Sequence, residues 1–299
     1  MNKIFLLICF FIQLAGVAAK PPIDSLRKAI DEVVQSKKAT VGVAIQGPEN
    51  GDTLTIGNGR HYPMQSVYKF HLALAVLNMV DKGELSLDQK VLIKKKDLRP
   101  DTWSPLREKY PEGNIELTIN ELITYTVSYS DNNCCDILFR IAGGTKNVEK
   151  YIKSLGIKDV AIRATEAEMH RNWKVQFLNR TTPYSVVQLL ERFFKGTVLS
   201  KTSTDFLMNV MTNSHNPGNR ILGMMSESTA IAHKSGTSGR DRNGIVAACN
   251  DIGIVTLPDG RHFTIAVFVS DSKENDETNA RIIAEITKLS WEYFLKGNK

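Results

Sequence analysis

The sequence predicts an α+β protein in which an antiparallel sheet, flanked by helices from the two chain ends, joins an all-helical lobe. Three observations carry this. Strand patterns cluster at both ends of the chain, the stretch from about residue 66 to residue 213 is nearly all helical in period, and each terminal sheet segment adjoins a helix. A chain of 299 residues, 42% hydrophobic and 23% charged, suits a globular core and excludes disorder, collagen and coiled coil. With 10 Pro, 20 Gly and no internal period, low-complexity and solenoid architectures are excluded as well.

Residues 1–19, MNKIFLLICFFIQLAGVAA, combine Lys3, an apolar run from Ile4 to Ile12 and small residues ahead of a cleavage point after Ala19. This is the pattern of a secretory signal peptide, and the run is short for a membrane span of about 20 residues. Residues 20–299 are expected to form a single unit, with an α/β lobe at 20–65 and 213–299 and a helical lobe at 66–212. In order, a helix is expected from Ile23 to Val34 and a strand from Thr40 to Ile45. Helices follow at Ser66 to Asp81, Thr118 to Ser128, Asn133 to Ala142, Thr145 to Leu155, Pro183 to Lys195 and Lys201 to Met211. Strands come next at Ala230 to His233, Ile245 to Leu257 and His262 to Ser270, the last two joined by the turn Pro258-Asp259-Gly260. A closing helix spans Glu274 to Leu295. The segment Arg163 to Asn179 mixes acids, His, Trp and amides without a period, and loops of that length usually carry function.

The net charge of +6 is spread along the chain, with Lys94-Lys95-Lys96 as the one basic run and no interleaved aromatics. A nucleic-acid partner is therefore not expected, nor a membrane partner once the leader is removed, and a monomer that attracts small anions is. Cys9 lies in the leader, which leaves Cys134, Cys135 and Cys249, an odd number without a C-x-x-C pair. The six His never fall at metal-ligand spacing, so neither a metal nor a cofactor is expected.

The chemistry points to the apolar helix at Ser66. In Ser-Val-Tyr-Lys-Phe-His-Leu-Ala-Leu-Ala, Lys69 is the one side chain expected to be charged, and burial near a helix N-terminus should make its proton labile. Lys69 follows Ser66 by three residues, which places amine and hydroxyl on one helical face, where the amine can take the hydroxyl proton. An isolated S-x-x-K is more often a capping serine and a surface lysine. Two further motifs follow in order: Ser130-Asp131-Asn132 in a break between helices, and Lys234-Ser235-Gly236-Thr237 at the end of an apolar strand, where the Gly permits close approach. Alone, the first reads as a turn with an N-cap and the second is weak.

The ordered set S-x-x-K, S-D-N, K-[ST]-G resembles the serine penicillin-recognising enzymes, D,D-peptidases and serine β-lactamases. Ala164-Thr-Glu166-Ala-Glu-Met-His170 is similar to the omega-loop glutamate region of class A serine β-lactamases, which D,D-peptidases characteristically lack. Gln65-Ser-Val-Tyr-Lys-Phe-His71, Glu166 with His170, and Gly236-Thr-Ser-Gly239 resemble the PER- and VEB-like extended-spectrum subgroup. The chain departs from the usual class A pattern in four places. Ala164 and Asn179 stand where an Arg and an Asp usually close the loop by a salt bridge, His170 stands where an Asn is usual, and Gln65 replaces the Cys of several carbapenemases.

The resemblance implies that Ser66 attacks a β-lactam carbonyl to form an acyl-enzyme, with Lys69 or Glu166 as base. It implies that Ser130 protonates the leaving nitrogen beside Lys234, and that the backbone N–H groups of Ser66 and Thr237 form the oxyanion hole. Glu166 would activate the deacylating water, with His170 helping to orient it. Asn132 would hold the acylamino side chain, Lys234 and Arg220 the substrate carboxylate, Thr237 and Ser238 would offer hydroxyls along the strand edge, and Trp103 would flank the entrance. The expected partners are β-lactam substrates and inhibitors, with extended cephalosporin activity and a periplasmic location. A D,D-peptidase, or a sensor that acylates without turnover, is the alternative.

Overall fold

The computed structural model describes residues 22–49, 52–216 and 218–296. Residues 1–19, the expected signal peptide, lie outside the described residues. Five antiparallel strands form the main sheet in the spatial order Thr53–Ile56, Thr40–Gln46, His262–Ser270, Cys249–Thr256 and Ile231–Thr237. Alternation decides its packing, because successive side chains of a strand point to opposite faces. Ala266, Phe268, Ile252, Ile254 and Ala232 face the larger core, built largely on the mid-chain helices. Val43, Ile45, Ile265, Val267 and Val255 face a second core with Leu26 and Ile30 of the helix Ile23–Gln35 and Ile282, Ile283 and Ile286 of the helix Asp276–Leu295. A sheet buried on both faces reads as continuous apolar strands, as this one does.

The helix Tyr68–Asp81 runs through the larger core, with every residue from Tyr68 to Leu77 buried. Around it lie the helices Ile119–Val127, Asn132–Ile141, Thr145–Ser154, Pro183–Phe194 and Lys201–Thr212. Their starts follow the sequence. Thr118 caps the first in a reciprocal box with Glu121, Asp131 caps the second through Cys134 N, and Thr182 with Pro183 and then Ser200 open the last two.

The structure departs from the sequence reading in several ways, beginning with the unanticipated edge strand Thr53–Ile56 and a Cys249–Thr256 strand shorter than the one expected from Ile245 to Leu257. The middle of the chain is not purely helical: Lys90–Ile93 pairs with Ile115–Thr118, and the short strands Val160–Ala161 and Tyr62–Pro63 flank Arg180–Thr181. Strands this short carry too few residues to show a period. Ser66 lies in a 3-10 turn, Gln65–Val67, one turn ahead of the α-helix. The strand expected to end at His233 continues to Thr237, because the polar motif pairs with Cys249–Ile252 as regularly as the apolar part does. The aperiodic segment 163–179 holds a short helix, Glu166–Arg171, and a 3-10 stretch, Trp173–Leu178.

Candidate active site

The three motifs and the 163–179 segment converge on one cleft. Ser66, Ser130, Asn132, Ser235, Thr237 and Trp103 line one part of it, and Glu166, His170, Thr237 and Ser238 line the adjoining part. Two residues are held in the left-handed backbone region, Gln65 at φ 48° and Ser130 at φ 57°. Each costs about 1–2 kcal/mol outside glycine, and such strain collects where a side chain must be aimed. Gly236 sets the spacing. A Cβ there would fall 2.5 Å from Met64 O and 3.2 Å from Ser66 N, so only glycine lets the Ile231–Thr237 strand press against the turn that holds Ser66. Asn250 fixes the same turn from the next strand by donating to Pro63 O at 2.8 Å.

Lys69 is fully buried, and oxygens surround its Nζ. It donates to Asn132 Oδ1 at 2.5 Å, Ser130 O at 2.7 Å and Ser130 Oγ at 3.4 Å, and lies 3.1 Å from Glu166 Oε1. The lone amine expected from the sequence is thus one half of an ion pair, with a carboxylate only 11% exposed. Lys234, also fully buried, donates to Asn216 Oδ1 at 2.6 Å, Ser235 O at 2.9 Å and Ser130 Oγ at 3.1 Å. Burial, and then the neighbouring Lys69 ammonium, hold Lys234 well below the usual lysine range. Ser130 Oγ therefore sits between two amines, one from each side of the cleft.

The Glu166 backbone is anchored by residues the sequence reading did not single out. Glu166 opens a helix capped by the reciprocal Thr165–Glu168 box, and its N–H and that of Ala167 donate to Asp136 Oδ1 and Oδ2 at 2.8 and 2.9 Å. Burial, and then the Glu166 charge, raise the Asp136 carboxyl to about 6. The signal that exposed Lys69, a charge inside an apolar helix, was present in Cys134-Cys135-Asp136-Ile137-Leu138 as well. The expected absence of an Arg-to-Asp closure has a specific replacement: the buried Asn179 amide. Its Oδ1 accepts from Arg163 N at 2.7 Å and Ala164 N at 3.0 Å, and its Nδ2 donates to Ala164 O at 2.8 Å. Gln65, in the position of the carbapenemase Cys, bonds Gln176 through their side-chain amides.

The remaining candidates lie at the rim or just behind the cleft wall. His170, expected beside a water at Glu166, has Asp101 as its partner, Nε2 to Oδ2 at 3.0 Å, and Arg99 grips the same carboxylate at 3.2 Å. Trp103 is 59% exposed and donates from Nε1 to Tyr129 O at 3.0 Å, so it is a rim residue and not a core one. Trp173, not anticipated, lines the cleft with it. Arg220 is 5% exposed and donates to Asn250 O at 2.8 Å, Gly236 O at 3.1 Å and Thr237 Oγ1 at 2.6 Å, so it reaches the cleft surface through the Thr237 hydroxyl. Ser238 extends the pairing toward the neighbouring strand, accepting from Ala248 N at 3.0 Å. Asn216 left no sequence signal. It is buried and joins Lys234 and Ser235 to Val127 O.

A serine in a strained turn, two buried lysines flanking a second serine, and a glutamate paired across the cleft define a serine hydrolase of the penicillin-recognising kind. The family model for the β-lactamase enzyme family matches residues 25–294. The chain is 44% identical to β-lactamase VEB-1 of Pseudomonas aeruginosa over 98% of both chains. It is 41% identical to the extended-spectrum β-lactamase PER-1 of the same organism, over 91% of this chain and 88% of that one. The crystal structure of the TLA-3 extended-spectrum β-lactamase superposes with a TM-score of 0.90 at 53% identity, covering 91% of this chain and 99% of the other. The chain belongs to the β-lactamase family and, within it, to the class A serine enzymes, which hydrolyse the β-lactam amide.

Proposed function

We propose that Ser66 is the nucleophile and that the Lys69–Glu166 pair manages its proton in both halves of the reaction. The observation that carries this is the 3.1 Å separation of Lys69 Nζ and Glu166 Oε1 beside Ser130, in the cleft that Ser66 lines. Attack by Ser66 Oγ on the lactam carbonyl places the oxyanion at the backbone N–H groups of Ser66 and Thr237, which Gly236 lets approach one another. Each such donor contributes about 3–4 kcal/mol in other acyl-transfer enzymes. Ser130 Oγ delivers a proton to the lactam nitrogen as the C–N bond breaks, and is reprotonated from the amines on either side. Glu166 then takes a proton from the water that cleaves the ester.

The substrate carboxylate is read at the Ser130, Ser235 and Thr237 end, with Lys234 and Arg220 supplying positive field from behind the hydroxyls. Asn132 Nδ2, which donates to Thr102 Oγ1 at 2.7 Å, keeps a second hydrogen for the acylamino group. The kinship to extended-spectrum enzymes, together with a rim set by Trp103, Trp173 and the Asp101–His170 pair, supports acceptance of bulky cephalosporins. The leader pattern supports export to the periplasm, where the enzyme acts as a monomer. The test is turnover of a chromogenic cephalosporin without added metal. Ser66→Ala should remove it by about 10⁴-fold or more, and Glu166→Ala should accumulate a covalent adduct visible by mass spectrometry. Prompt hydrolysis by Glu166→Ala without an adduct would overturn the assignment.

A further inference from the structure

One imidazole in the cleft has no part in the chemistry above. His215 lines the same wall as Ser130, Asn216, Ser235 and Thr237. Its ring stacks on Tyr129 with centroids 4.1 Å apart and planes 15° apart, and its backbone N–H donates to Ser128 O at 3.0 Å. Its Nδ1 lies 3.0 Å from Ser128 Oγ. That hydroxyl has one proton, and it is spent on Asn213 O at 2.9 Å. Ser128 Oγ must therefore accept from Nδ1–H, which fixes the neutral tautomer. Neutral His215 then carries a bare lone pair at Nε2, which has no partner among the described residues. A carboxylate is repelled by that lone pair and attracted by Nε2–H⁺.

The cations behind this end of the cleft are mostly committed. Lys234 is fully buried on Asn216, Ser235 and Ser130, and Arg220 nearly so on Gly236, Asn250 and Thr237. His215 is exposed. The charged groups behind this wall are Lys234 through Asn216, Arg220 through Thr237 and, beyond Ser130, the Lys69–Glu166 ion pair. Tyr129 is its titratable neighbour, and the Asp131 carboxylate is turned to Ser104, Leu106 and Cys134.

We propose that His215 is a proton-linked contact for the anionic group of the substrate, taking up a proton from solvent at Nε2 as the carboxylate binds. This rests on the carboxylate position given under Proposed function. The test is calorimetric titration of the Ser66→Gly enzyme with benzylpenicillin from pH 6 to pH 8, in buffers of different ionisation enthalpy. Binding should take up a proton fraction and weaken about ten-fold over that range. His215→Phe in the same background keeps the ring on Tyr129 and loses both nitrogens. It should lose that uptake and bind at the weak, pH 8 level throughout. His215→Lys, with a fixed charge, should bind tightly at both ends of the range. Equal uptake with and without the imidazole overturns the inference. Steady-state KM of the Ser66 enzyme is the second readout, and superimposable KM–pH profiles for wild type and His215→Phe would overturn it equally, with β-lactam hydrolysis left standing. Absence of any turnover by wild type would remove the parent reading instead.

Discussion

Replacing Asn179 by Ala tests how the 163–179 segment holds Glu166. The Asn179 amide is fully buried and makes three bonds to the backbone of Arg163 and Ala164. Ala164 is itself 1% exposed, so truncation leaves its N–H and its carbonyl without partners where water does not readily replace them. At about 1–2 kcal/mol for each orphaned group the loss is about 3 kcal/mol. For a chain of this size that lowers Tm by about 6–12 °C. Asn179→Asp retains both acceptor contacts but loses the donors to Ala164 O and Met169 Sδ and sets a buried carboxylate against that carbonyl, so its loss should be at least as large. The kinetic consequence follows from the anchoring of Glu166 on the same segment: deacylation should slow more than acylation. The assay is thermal unfolding of the three proteins, together with intact mass after mixing with a cephalosporin. A Tm within 2 °C of wild type for Asn179→Ala, with no adduct, would refute the reasoning.

Asn216→Ala removes the 2.6 Å acceptor of Lys234. A charge-assisted bond of this kind contributes about 1.5–3 kcal/mol, so kcat/KM for a chromogenic cephalosporin should fall about ten-fold or more; an unchanged value would show that Ser235 O and Ser130 suffice to hold the amine. His71 is buried, and burial, offset only in part by its contact with the Val67 backbone, lowers it from 6.5 to about 4. The folded state keeps it neutral while the unfolded chain takes up a proton below 6.5, so stability falls as pH drops from about 6.5 toward 4. Linkage gives about 2.5 kcal/mol between pH 7.5 and 4.5. His71→Leu should gain that much over wild type across the interval in denaturant unfolding, and a constant difference would exclude the effect. Asp136, raised to about 6, shifts stability the opposite way, but it is common to both proteins and cancels.

The parts of this protein that the sequence determined are those where a few residues act through local geometry. The Ser66–Lys69 spacing, the Asp131 cap, the period of the long helices and the alternation of the terminal strands each follow from rules that hold within one element. The same locality made Glu166 and Lys234 legible, since their motifs carry recognisable neighbours. The loss of the usual loop salt bridge was visible in Ala164 and Asn179, but what replaced it was not. An amide clamp exists only when the backbone of 163–164 is brought to residue 179.

Tertiary structure alone decided the rest. That Lys69 is paired and not isolated depends on Glu166, 97 positions away, and that Lys234 is held by Asn216 depends on a segment crossing from the sheet side to the helical side. His170 and Asp101 meet only because the short helix Glu166–Arg171 faces the turn at Asp101 over the cleft. Charges and hydrogen-bond donors act over a few ångströms in space, whereas a sequence orders residues along the chain. The identity of a catalytic group can therefore be read from its local motif, but its ionic partners and the hydrogen bonds that tune it are set by how the chain packs.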